Sequence, residues 1–137
     1  MLKRHTIGTR WSILVDSEFT RDIDQGDVVL WTPGRTIHAS VFNTHNAEAE
    51  EAIEKMIEGR PGIPVQMFDR EEPGLAGHAY LLPETRKSRK SWGLNTWTAA
   101  KGEVACVTIY FDDLHDLNWA IGVWKSVRPR EGQAILN

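Results

Sequence analysis

Apolar and polar positions change their period several times along this chain, and each change marks an element. Residues 11–15 (WSILV) read as a short strand ending at Asp16-Ser17. After the turn signal Asp24-Gln25-Gly26, residues 27–32 (DVVLWT) read as a second strand. Pro33-Gly34 is a strong turn dipeptide, so residues 36–42 (TIHASVF) return as a third strand in a hairpin with the second. On that strand Ile37, Ala39 and Val41 share one face, while Thr36, His38, Ser40 and Phe42 share the other.

From 47 to 58 the period lengthens. Ala49, Ala52, Ile53, Met56 and Ile57 recur at the spacing of one helical face. Asn43, Thr44, His45 and Asn46 supply N-cap candidates, and Glu48, Glu50 and Glu51 crowd the end where the helix dipole favours negative charge. Gly59 stands where a C′ glycine belongs, and Pro61 stops continuation. Strand-like runs follow at 65–70 (VQMFDR), 75–82 (LAGHAYLL, closed by Pro83), 91–98 (SWGLNTWT) and 103–111 (EVACVTIYF). Residues 86–90 (RKSRK) read as a solvated basic hairpin tip. The stretch 104–111 is apolar on both faces, which belongs in the middle of a sheet covered on each side. A last helix starts after Asp113 or Asp116, lines up Leu117, Ala120, Ile121, Trp124 and Val127, and closes at Pro129.

The order is therefore β-β-β-α-β-β-β-β-α. It predicts an α+β fold, a largely antiparallel sheet of about six to seven strands with two helices packed on it. Residues 1–137 read as one domain. Residues 1–9 and 130–137 carry no pattern that demands order and are expected to be loosely attached.

A net charge of −3 gives no electrostatic footprint for nucleic acid or an anionic membrane, so neither is expected as a partner. No apolar run approaches the length of a membrane span, and the basic N-terminus lacks the apolar core of a secretory signal. With Cys106 as the lone cysteine, the expected setting is the cytoplasm. Six tryptophans are the compositional departure. Most such rings pack in cores, but tryptophan also concentrates at binding hot spots.

Chemistry-bearing groups are sparse. The five histidines show no zinc-site spacing, and His38 and His78 would meet only if their strands were neighbours. The Asp112, Asp113, His115, Asp116 cluster lies between a strand and a helix, where aspartate is wanted as a cap. Cys106, flanked by Ala105 and Val107, reads as a buried inert thiol. Nucleotide-binding and hydrolase glycine motifs are absent from the sequence. Neither catalytic residues, nor a metal, nor a cofactor is expected.

The helix at 47–58, the strand ending in GHAYLL, the basic hairpin, and a closing strand and helix ending in WKSVRP together carry a resemblance. Over residues 47–129 the chain resembles the Mog1/PsbP-like α+β domains, in particular small bacterial DcrB-like domains that include type VI secretion effector chaperones. The resemblance implies a domain that binds a protein partner without catalysis, as an adaptor, secretion chaperone or immunity-type protein. Its binding face is then expected on the sheet face opposite the helices, with Trp92, Trp97, His78, Tyr80 and His38 as candidates. A free edge strand also leaves self-pairing into a homodimer open. The alternative is a small-molecule binder or enzyme with its pocket between sheet and helix, marked by convergence of at least two of His38, His78, Tyr80 and Cys106.

Overall fold

A computed structural model of the chain describes residues 1–44, 48–59, 62–86 and 88–130. They form β1 (Leu2–Ile7), β2 (Trp11–Asp16), β3 (Thr20–Asp24), β4 (Asp27–Thr32), β5 (Arg35–Asn43), α1 (Ala49–Glu58), β6 (Gln66–Glu72), β7 (Leu75–Arg86), β8 (Arg89–Ala100), β9 (Glu103–Phe111), a single 3-10 turn (Leu114–Asp116), α2 (Leu117–Ser126) and β10 (Arg128–Pro129). The fold is α+β. Seven antiparallel strands run in the order β3-β4-β5-β9-β8-β7-β6, and β1-β2-β10 make a separate small sheet. The doubly apolar run is β9, fourth of the seven, with Val104, Ala105, Val107 and Ile109 all fully buried.

Cross-strand pairing assigns each residue of the large sheet to one of two faces. The inner face carries the row Ile37, Ile109, Leu94 and Leu81. It is covered by the small sheet through Ile7, Trp11, Ile13 and Val15, and by α2 through Ala120, Val123 and Trp124. The Trp124 indole donates to Thr98 Oγ1 at 2.9 Å inside this layer. Gly77 makes room for it: a Cβ there would lie 3.2 Å from the Trp124 ring and 3.1 Å from the Trp97 carbonyl. From β6 the buried Arg70 reaches under α2 and donates to the carbonyls of Trp124 (2.9 Å) and Val127 (2.8 Å), where helix carbonyls run out of partners.

On the outer face α1 lays Ala52 and Ile53 over Trp97, Ala99 and Val104, with Met56, Ile57, Tyr80 and Cys106 around the margin. The two helices thus sit on opposite faces of the sheet, and no face opposite both helices exists. Among the described residues no helix is long and apolar enough to cross a membrane.

Several expectations change. Residues 1–9 were expected to be loose, yet Leu2–Ile7 pairs along its whole length with β2. At the other end the Arg130 amide bonds to the Arg10 carbonyl at 2.6 Å, and residues 131–137 lie outside the described residues. β3 was not anticipated because all five of its residues are exposed and show no alternation. Its hairpin to β4 turns at Gln25 and Gly26, both at positive φ, the geometry that matches strand twist. Pro83 does not end β7. It pairs with Trp92 beyond the last rung of β6, on a stretch of β7 with no outer neighbour needing its missing N–H. α1 begins at Ala49 behind Glu48, without a side-chain cap, and Gly59 closes it in right-handed conformation. His45, Asn46 and Pro61 lie outside the described residues.

Gly77→Ala should destabilise the protein by about 1–3 kcal/mol, since a methyl group meets a backbone carbonyl and a buried ring. A urea titration with an unchanged slope and a lowered midpoint is the expected result.

Candidate functional site

α1 covers the part of the outer face over β7, β8 and the near end of β9. Among the described residues the remainder, over β4, β5 and β9, is an open trough. Its floor is the pairing of Thr36 with Tyr110, His38 with Thr108 and Ser40 with Cys106. Trp31 and Phe42, 41% and 48% exposed, stand on β4 and at the far end of β5. An edge-on contact of His38 with Tyr110 (centroids 6.1 Å apart, 86°) divides the trough into two hollows.

The first hollow, about 420 Å³, lies where β5 begins, β8 begins and β9 ends. Thr36, Ser91 and Tyr110 bring hydroxyls to it, and Arg89 and Asp112 bring one charge of each sign, 3.6 Å apart. Arg35 also lines it, but its guanidinium grips Asp116 through two hydrogen bonds (3.1 and 2.9 Å) and stacks over Trp119 at 4.4 Å. The hollow is therefore close to neutral. Ser91 is 4% exposed, and its Oγ has no hydrogen-bond partner among the described residues. Two positions along the same face of β8 is Gly93, where a Cβ would come within 3.2 Å of the Glu84 side chain and 3.4 Å of the Tyr110 ring. Two further on, the buried Asn95 leaves its Oδ1 unpartnered as well. Buried polar atoms left in this state are the ones that water or a ligand ordinarily satisfies.

The second hollow, about 390 Å³, lies against α1 and is lined by His38, Ser40, Met56, Trp97, Cys106 and Thr108, among others. Cys106 is half-buried, not enclosed as expected, because α1 does not extend over the whole of β9. Its Sγ lies 3.6 Å from Met56 Sδ.

The five residues named from the sequence do not make one surface. Trp92 is half-buried on the inner face, packed against the main core. Trp97, five residues on, faces outward, since an odd separation on a strand reverses the face. It is 3% exposed, beneath α1, with Tyr80 edge-on to it at 5.5 Å. His78 lies at the α1 margin, with Nδ1 on Asp69 and Nε2 3.2 Å from Glu50. His38 faces the trough, where it lines the second hollow together with Cys106 and an edge of the mostly covered Trp97. β9 and β8 separate β5 from β7, so the His38 and His78 strands are about 14 Å apart and the imidazoles do not meet. In the acidic cluster Asp113 caps the 3-10 turn by accepting from the His115 amide at 2.9 Å. Asp116 was expected as a cap but makes no side-chain cap bond and holds Arg35 instead.

Thr36, Arg89, Ser91, Tyr110 and Asp112 escaped the sequence reading as site residues. One signal was present: Ser91, Gly93 and Asn95 are polar or small at alternate positions, with the apolar Trp92 and Leu94 between them. No protein-family model matches this chain, and no curated protein matches it.

His78 adds a pH dependence to the α1 margin. Burial lowers its pKa, but hydrogen bonds to Glu50 and Asp69 outweigh that and hold it above the usual histidine value. The folded pKa is raised, so the tie is fully present below pH ~6.5 and is lost as pH rises through the folded value. Both carboxylates are well exposed, which limits the effect to under about 1 kcal/mol. Hydrogen exchange should show α1 amides better protected at acidic than at alkaline pH, after correction for intrinsic rates, and His78→Gln should abolish the difference.

Proposed function

We propose that this chain is a binding domain without catalysis, and that its ligand lies in the outer-face trough with the first hollow as its anchor. The observation that carries this reading is the buried, unpartnered Ser91 hydroxyl at the wall of a neutral hollow. Ligand sites are typically concave, with a few placed polar groups that fix orientation.

The chemistry around Ser91 favours a neutral, hydroxyl-rich ligand such as a sugar. Arg89 offers donors and Asp112 acceptors side by side, which suits adjacent hydroxyls that need both. Because the two charges offset, a phosphate or an ammonium would each meet one repulsive partner. Trp31, on β4 beside Thr36, and Tyr110 supply aromatic surface for the C–H face of a sugar ring. His38 and Cys106 in the second hollow also meet the convergence expected of a pocket between sheet and helix.

The protein-partner reading drawn from the Mog1/PsbP-like resemblance rested on tryptophans of a sheet face. Trp97 and Trp124 are core residues, and Trp92 packs against the core. Its remaining support is a different surface, the β6 edge.

Titration with glucose, N-acetylglucosamine and their disaccharides, followed by NMR, should move the Trp31 indole and the Ser91 and Tyr110 amides. Arg89→Ala or Asp112→Asn, both at exposed side chains, should weaken the binding at least about tenfold, the loss of ~1.5 kcal/mol for a hydrogen bond to a charged group. Inorganic phosphate moving these signals while the saccharides leave them unchanged would contradict the reading.

A further inference from the structure

Among the described residues the two free edges of the large sheet are β3 and β6, and they are built differently. β3 presents Arg21, Asp22 and Asp24, a mixture of signs that discourages strand addition. On the way into β6, the alternate residues Ile63, Val65 and Met67 are 88%, 62% and 64% exposed. They form a short apolar row beside backbone groups that have no outer strand. Beyond them the surface turns acidic. Glu50, Glu51, Glu54 and Glu58 on α1 and Asp69 and Glu71 on β6 are all exposed. His78 ties Glu50 to Asp69, so the two acidic elements are continuous. Among the described residues of α1 and β6, only Lys55 and the buried Arg70 are cationic, and they are already engaged with Glu51 and Glu72. This margin carries more negative charge than the whole molecule, whose net charge is −3.

We infer that the β6 edge is a docking site for an extended, basic segment of a protein partner, which adds as an eighth strand. Strand addition satisfies the free edge through main-chain hydrogen bonds and reads alternate side chains. Apolar side chains of the incoming strand lie against Val65 and Met67. Its lysines or arginines on the same face meet the carboxylates of Asp69, Glu71 and α1. A second copy of this chain is the wrong occupant: antiparallel pairing of β6 with itself over its full length sets Asp69 against Asp69 and Glu71 against Met67, one like-charge pair and two mismatches of charge with an apolar side chain, which destabilise a ladder. This surface is separate from the trough, and neither proposal depends on the other.

The test uses the full chain and three peptides of eight residues: a Lys block followed by a Val block, which sets two lysines and then two valines on each face of an extended strand, the same composition with Lys and Val alternating, which sets every lysine on one face, and a Glu block followed by a Val block. The basic block peptide should bind, slow amide exchange along residues 66–72, and weaken as salt rises. Met67→Asp and the paired change Glu54→Lys with Glu71→Lys, all at exposed positions, should each lower its affinity at least tenfold. Binding of the alternating or acidic peptide with equal affinity, or binding of the basic block peptide without protection of 66–72, overturns the inference. So does no binding of the basic block peptide at millimolar concentration.

Discussion

A seven-stranded sheet has two faces, and the described residues supply apolar cover for only one and a half of them. The inner face receives the small sheet and α2 together and closes into the main core. The outer face receives one ten-residue helix. Where α1 reaches, the sheet is apolar, with Trp97, Ala99 and Val104 beneath it. Where it does not reach, β9 switches to Thr108 and Tyr110, and β5 beside it presents Thr36, His38 and Ser40. The side chains follow the cover, so the trough is written into the strands that form its floor.

The inner layer is fixed by polar contacts that tolerate little change. Arg70 binds the last carbonyls of α2, Trp124 donates to Thr98, and Arg35 joins the start of β5 to Asp116 and Trp119 at the start of α2. Removing one partner of such a buried contact costs more than the contact contributes, because the other is left unsatisfied. These ties also set the first hollow: Arg35 is withdrawn into the scaffold, which leaves Arg89 and Asp112 as the charges a ligand meets. The α1 side is held differently, by a modest apolar contact and a half-exposed histidine between two carboxylates. One face is a rigid base and the other carries the open surfaces.

The scaffold was legible where burial imposes a period. The central strand, the α1 stripe and the Trp124 face of α2 all follow from apolar spacing, because each lies against a core. β1 and β3 were not legible. β1 exposes its first three residues and buries His5, and β3 buries nothing, so neither leaves an alternation to detect. The site was less legible still. Which tryptophans face the same way follows from parity, and Trp92 and Trp97 fail that test on sequence grounds alone. Strand order is a different matter: nothing local states that β9 inserts between β5 and β8, and that insertion brings Thr36, Tyr110 and Ser91 together while keeping His38 from His78. Arg70 gave no signal either, since its partners are backbone carbonyls more than fifty residues away.

Incomplete cover of the outer face is what leaves the trough open. Proton relaxation by a soluble gadolinium chelate measures that cover directly, ring by ring. It should be strong at Trp31 and Phe42, intermediate at His38 and Tyr110, and near zero at Trp97 and Trp124. Protection of Trp31, Phe42 and Tyr110 equal to that of Trp97 would mean that the trough is closed, and would contradict the account.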